Sequence, residues 1–258
     1  MLGEYVTVNE HYHVVDSTNT KARTLLSSLH LQGSSGLRAI VSADIQTAGR
    51  GRLGRTWVSS DTQNFYASYV CEVPRGLYET QGSWLPTLAG LATLDALREQ
   101  IDPELPVRLK WPNDLYLNEK KLGGILCEVV ELSSPDALAV IMGIGLNLSS
   151  APKPEELDGL YAATSLNQSV DVRGELRGRI GRKIHAALTR MNANELRARA
   201  KNESCILGRA VRVQLADGTT RIGKATDITP SARLELDGAY EVNVGDVLHA
   251  QTFGRENA

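Results

Sequence analysis

Cysteine is sparse in this chain, surplus positive charge is missing, and no long hydrophobic run occurs. Its three cysteines, Cys71, Cys127 and Cys205, are far apart and odd in number. Neither a disulfide framework nor a metal-binding spacing follows from them, and a reducing compartment is expected. Lys and Arg total 28 against 30 Asp and Glu, a net charge of −2, so the basic excess of a broad nucleic-acid surface is absent. No apolar stretch approaches the length that spans a bilayer. The first residues show no basic region followed by an apolar core, and a cytoplasmic protein is the expectation. Internal repeats and low-complexity tracts are missing too, as is any Ser/His/Asp or Cys/His set that would supply a nucleophile. With 258 residues the chain can still bury a substantial core in one or two domains.

What is present is concentrated in residues 48–57, AGRGRLGRTW. Three glycines (Gly49, Gly51, Gly54) and three arginines (Arg50, Arg52, Arg55) share ten positions with no acidic residue. Glycine lets the backbone approach a ligand closely, and guanidinium forks meet phosphate or carboxylate oxygens two at a time. The stretch therefore predicts a clamp for a small anion, loosely held until the anion offsets the repulsion among its arginines. A Gly/Arg-rich RNA-binding tail has similar composition, but this segment is neither repeated nor terminal.

Periodicity predicts a helix over residues 17–29, with Ser17 or Thr18 able to cap it. Strands are predicted at 38–43 and 65–73. A second helix spans 85–101, where Leu85, Leu88, Leu91, Leu94, Leu97 and Ile101 form a stripe and Pro86 fits the first turn. Strands at 107–111 and 124–131 flank a turn-rich segment at 112–123, and the apolar run 137–148 reads as a central strand. Residues 149–159 read as a loop, and Leu176, Ile180, Ile184, Leu188 and Met191 mark a later helix. Near Ser204 the character changes to short β-rich runs, with Asp217-Gly218 and Asp237-Gly238 as hairpin turns. Some fifty residues of this kind suggest a small barrel, with a domain boundary at about 202–204.

Two further motifs carry chemistry. In KWPNDLYL (110–117), Pro112 fixes the exit from a strand. Asn113 and Asp114 can turn the chain, while Asp114 is also a hard oxygen ligand suited to nucleotide-bound magnesium. Lys121 follows seven residues later, ahead of Gly123 and Gly124; taken singly, Lys120-Lys121 is an ordinary solvated pair. GIGLNL (143–148) ends the central strand, its glycines making room and Asn147 closing a turn.

In order and spacing, DSTN (16–19), QTAGRGRLGRTW from Gln46, KWPNDLYL, KKLGGILCE and GIGLNL together closely resemble biotin protein ligases over nearly the whole chain. The resemblance implies an α/β (α+β) architecture. A catalytic domain with a mixed sheet, similar to class II aminoacyl-tRNA synthetases and lipoate ligases, would occupy 1–203, and an SH3-like barrel 204–258. It implies adenylation of biotin by ATP to biotinyl-5′-AMP, then transfer to a lysine amine of an acceptor such as a biotin carboxyl carrier domain, with no enzyme nucleophile. Sixteen residues precede Ser17, too few for the winged helix-turn-helix of bifunctional members, so no DNA-binding module of its own is expected.

By the same resemblance Ser17, Thr18, Asn19 and Gln46 line the pocket for the ureido end of biotin, whose donors and acceptor suit hydroxyls and amides. Arg50, Gly51 and Arg52 close over biotin and the adenylate. Arg52 and Lys121 hold carboxylate and α-phosphate together as the catalytic pair, and Gly124 gives a close backbone contact. Arg55, Trp57, Asn113, Asp114 and Asn147 belong to the ATP side, Asp114 and Asn147 with magnesium. A lipoate ligase is the nearest enzymatic alternative, and a non-enzymatic nucleic-acid-binding or regulatory module on the same fold the other. Family members can dimerise through the catalytic sheet, and nothing in the sequence fixes that edge.

Overall fold

The computed structural model describes residues 8–29, 31, 33–59, 61–157, 161–167, 172–215, 217–243 and 245–250. The last eight residues of the tail predicted as a barrel, 251–258, lie outside them. Seven strands form one sheet: β1 (Val8–Val15), β2 (Gly36–Gln46), β3 (Phe65–Pro74), β4 (Val107–Lys110), β5 (Asp114–Leu117), β6 (Lys120–Glu131) and β7 (Ala137–Leu146). Their order is β1-β2-β3-β7-β6-β5-β4. Only β1 and β2 run parallel; the other pairs are antiparallel, which makes the sheet mixed, as the resemblance implied.

The long apolar runs became its centre. β3 and β7 are buried along nearly their whole length, as strands covered on both faces must be. Helix α1 (Thr18–Leu25) covers one face, setting Ala22 against Ala39, Val41, Val70 and Ile141. On the other face lie α3 (Leu85–Gln100) and α4 (Arg173–Thr189). The predicted stripe from Leu85 to Leu97 and the Leu176, Ile180, Ile184 and Leu188 stripe meet there in the main core. Gly90 lets α3 approach β4 closely, since a Cβ there would stand 3.0 Å from Leu109 Cδ2.

Several elements depart from the reading of the sequence. The segment 112–123 is not simply a turn: it holds β5 and the start of β6, joined through Asn118 and Glu119 at φ +50° and +64°. Two positive φ values give the tight hairpin its twist, but Asn-Glu lacks the glycine that marks such turns. Strand β1 has an apolar-poor sequence, VNEHYHVV, because it is an edge strand with alternating exposure. Helices α2 (Arg75–Gln81) and α5 (Ala193–Glu203) were hidden by polar composition. For α5 a signal existed: Asn192 Oδ1 accepts from the backbone N–H of Asn194 (3.0 Å) and Glu195 (3.4 Å), and Glu195 sits where a capping box places it. Helix α1 begins after Ser17 and ends at Leu25, passing into a 3-10 turn at Leu26–Ser28. Ser17 holds the N-cap position without a capping hydrogen bond from its side chain.

The remaining strands, β8 (Ala210–Leu215), β9 (Thr220–Ile228), β10 (Leu234–Leu236), β11 (Tyr240–Val242) and β12 (Gly245–Ala250), form an antiparallel sheet of order β11-β10-β9-β8-β12. Gly218, Asp237 and Gly238 take positive φ in its connections, as the Asp-Gly dipeptides required. Its small core, built on Val211, Val213, Leu234 and Leu236, also contains Trp111. Trp111 Nε1 donates to the Ala232 carbonyl at 2.8 Å and Trp84 Nε1 to that of Pro230 at 2.8 Å. Ile228 in turn is buried in the main core. The two sheets thus exchange side chains, and KWPND is pinned at its tryptophan by the second of them.

Candidate active site

A cleft of about 700 Å³, counting the solvent in its mouth, opens between the start of α1, the loop after β2 and the ends of β5, β6 and β7. Every site residue singled out from the sequence lines it except Asn147. Asn147 stands just beyond β7, buried, with Nδ2 donating to the Thr164 carbonyl at 3.1 Å.

The floor is polar and nearly fully buried. Ser17, Thr18 and Asn19 are each no more than 4% exposed. Thr18 gives its backbone N–H (2.8 Å) and hydroxyl (3.1 Å) to Gln46 Oε1. Ser68 Oγ lies 2.8 Å from Thr18 Oγ1 and 2.6 Å from Asn19 Oδ1. Asn19 Nδ2 donates to Glu128 Oε2 (2.7 Å) and, less closely, to the Leu126 carbonyl (3.3 Å). Each amide is thereby held in one orientation. Gly143 makes this floor possible, because a Cβ there would sit 2.3 Å from Asn19 Oδ1.

Over the floor, residues 49–57 fold back on themselves. Trp57 N–H donates to the Gly49 carbonyl (2.9 Å) and Gly51 N–H to that of Arg55 (2.7 Å). A Cβ on Gly49 would meet the Trp57 carbonyl at 2.5 Å, so glycine is required there. The repulsion expected among the arginines is offset within the chain: Arg50 pairs with Glu128 at 2.8 Å, and Arg52 Nη1 donates to Asn113 Oδ1 at 3.1 Å. The sequence reading missed this because Glu128 is 78 positions from Arg50. Asn113 is itself fixed, giving Nδ2 to the Ile125 carbonyl (2.6 Å) and accepting from the Ile125 N–H (2.8 Å).

The far wall carries the second cation. Lys121 Nζ lies 2.8 Å from Asp114 Oδ1, with both side chains under 20% exposed. It also sits 4.7 Å from the Tyr161 ring centroid and 5.8 Å from that of Trp57, within reach of both ring faces. Trp57 Nε1 is buried and has no acceptor among the described residues. Gly145 backs that indole, for a Cβ there would come within 2.5 Å of Trp57 Cε2. Gly145→Ala is therefore expected to displace Trp57, cost about 1–3 kcal/mol of stability and shift tryptophan emission. An unchanged melting temperature and emission spectrum would contradict the contact.

No cysteine is among the residues that line the cleft. Burial pushes the Cys127 thiol up to about 12 and raises Cys71 as well, so neither is a thiolate near neutrality. No cluster of three His, Cys, Asp or Glu able to hold a metal occurs among the described residues. Nor is any helix among them long and apolar enough to cross a membrane. Besides Glu128 and Ser68, the reading of the sequence missed Tyr161, which no motif marked, and the lining roles of Gly143 and Gly145, whose GIGLNL context it had noted.

The arrangement joins a donor-and-acceptor floor to a pair of cations, as recognition of a polar, uncharged head and an anionic tail demands. Known proteins resemble this chain in sequence and in fold. Over 216 residues the chain is 35% identical to the biotin--[acetyl-CoA-carboxylase] ligase of Mycobacterium tuberculosis, covering 81% of this chain and 78% of that one. It is 30% identical to the bifunctional ligase/repressor of Escherichia coli, covering 90% of this chain and 70% of that protein. Among solved structures, the Aquifex aeolicus biotin protein ligase in complex with biotin and ATP superposes with a TM-score of 0.69 at 27% identity, covering 95% and 97% of the two chains. The profile of the biotin/lipoate A/B protein ligase family matches residues 12–147, more than half of the sequence, and the chain belongs to that family.

Proposed function

We propose that this cleft activates biotin with ATP, releasing pyrophosphate, and passes the biotinyl group from biotinyl-5′-AMP to a lysine amine of an acceptor protein. The observation that carries the reading is the meeting, in one cleft, of the fixed amide and hydroxyl floor with Arg52 and Lys121. A urea presents two donors and one acceptor, and the Ser17, Thr18, Asn19 and Gln46 side chains offer complements to both. The lipoate alternative lacks that head group, so this floor favours biotin. A nucleic-acid role lacks the basic surplus it would call for.

In the first step a biotin carboxylate oxygen attacks the α-phosphorus of ATP, a bond to phosphorus forms, and pyrophosphate leaves with its electron pair. Two anions must be held together, and charge grows on the phosphoryl oxygens. Arg52, oriented by Asn113, and Lys121, held between Asp114 and two aromatic rings, are fixed donors for that charge. Gly51 and Gly124 permit close backbone approach, while Arg50, Arg55 and Trp57 close the adenylate side and keep water from the anhydride. Asp114 fits as the carboxylate that would hold magnesium brought by ATP. Such an ion would neutralise charge on the departing pyrophosphate.

In the second step the acceptor amine attacks the mixed anhydride's carbonyl carbon, forming the amide and releasing AMP. The cleft-lining residues named above all belong to one chain. We read the seven-stranded sheet as the class II synthetase-like catalytic domain, residues 1–203, and the smaller sheet as an SH3-like barrel, 204–258. Transfer of labelled biotin to a biotin carboxyl carrier domain tests the reading. Label on the wild-type domain, ATP-dependent and lost when its acceptor lysine becomes arginine, is expected; no transfer would refute it.

A further inference from the structure

Glu128 is an acidic side chain among cations, and the two-step chemistry above gives it no role. Gly124, Leu126 and Glu128 alternate onto one face of β6, the face turned to the cleft and its loop. The carboxylate takes three partners: Asn19 Nδ2 at 2.7 Å and Arg23 Nη2 at 3.6 Å, both on α1, and Arg50 Nη2 at 2.8 Å from the loop. Its side chain is 19% exposed against 43% for Arg50, so the carboxylate is the less exposed and better held half of that pair.

Two consequences follow from these contacts. With Nδ2 committed to Glu128 and Leu126, and Ser68 beside Oδ1, Asn19 can meet a ligand only as an acceptor, through Oδ1. A gap lined by residues 50–55 on one side and by Leu126 and Glu128 of β6 on the other is spanned by the Arg50–Glu128 pair. We propose that Glu128 is a positioning residue that orients Asn19 for the ureido group and clasps the 49–55 loop through Arg50, so that recognition of biotin and closure over the adenylate share one carboxylate. Arg50 then serves as the loop's anchor, and Arg52 and Lys121 remain the cations for the phosphoryl group. The inference rests on the biotin-activating reading.

Glu128→Gln and Glu128→Ala separate the two duties. Glutamine keeps an oxygen for Asn19 Nδ2 but loses the charge that draws Arg50; alanine loses both. The readings are biotin affinity by calorimetry, release of preformed biotinyl-AMP in a chase, and thermal melting, all on the full chain. Glu128→Gln should bind biotin within roughly threefold of wild type while releasing the adenylate roughly three- to tenfold faster, the range for a charge-assisted bond at a half-exposed site. Glu128→Ala should in addition weaken biotin about tenfold or more. Arg50→Gln should speed release as Glu128→Gln does, and the double variant should add nothing. Wild-type release from Glu128→Gln, additive losses in the double variant, or equal losses of affinity and release that track a lower melting temperature would overturn the clasp. A wild-type protein that binds biotin and forms the adenylate keeps the functional reading whatever the variants do; one that does neither overturns both.

Discussion

Arg52→Ala and Lys121→Ala are expected to form biotinyl-AMP about a hundredfold or more slowly than the wild type at saturating biotin and ATP. Removing a fixed donor aimed at developing charge typically costs about 2.7–4 kcal/mol of transition-state stabilisation. Each cation is held by something other than a ligand: Arg52 by Asn113, Lys121 by Asp114. The two variants should differ in stability. Arg52 is a loop residue, and its truncation should stay within about 0.5 kcal/mol. Lys121→Ala leaves the largely buried Asp114 carboxylate without its ammonium, which should cost about 1–3 kcal/mol. Lys121→Arg should not restore the full rate, because a planar fork replaces a compact ammonium between two rings. Single-turnover adenylation checks all three; near-wild-type rates in both alanine variants would remove these residues from the mechanism.

Deleting residues 204–258 should abolish cooperative folding of the remainder, a larger effect than separable modules would show. The cut strips Trp111 of its packing and removes the carbonyls of Ala232 and Pro230 from two indole N–H groups. It also takes Ile228 out of the main core and the Asp227 carboxylate from Arg197 and Lys201. A large aromatic lost from a core costs about 3–5 kcal/mol, and each orphaned donor about 1–3 kcal/mol more, against a total stability of about 5–15 kcal/mol. Trp111→Ala in the full chain is the milder version, expected to lower the melting temperature by on the order of 10 °C. A fragment of residues 1–203 that unfolds cooperatively near the full-length melting temperature would contradict this coupling.

The main helices and central strands were legible because their burial is written in period: Leu85 to Leu97 at helical spacing, and apolar runs at β3 and β7. Edge and surface elements were not, since β1 and α5 bury few side chains and so carry little apolar signal. The cleft was legible residue by residue where a motif combined glycines with charge. Glu128, Ser68 and Tyr161 were not, because their significance comes from pairing with Arg50, Asn19 and Lys121 across the fold. Trp111 shows the same limit: KWPND marks a strand exit, while only the fold reveals that its indole belongs to the neighbouring sheet.

Biotin-dependent exchange of labelled pyrophosphate into ATP, with lipoate as the parallel substrate, tests the central claim without requiring the acceptor to be known. Exchange that needs biotin, is absent with lipoate and collapses in Arg52→Ala is the result this geometry predicts. Exchange supported by lipoate and not by biotin, or none with either, would contradict it.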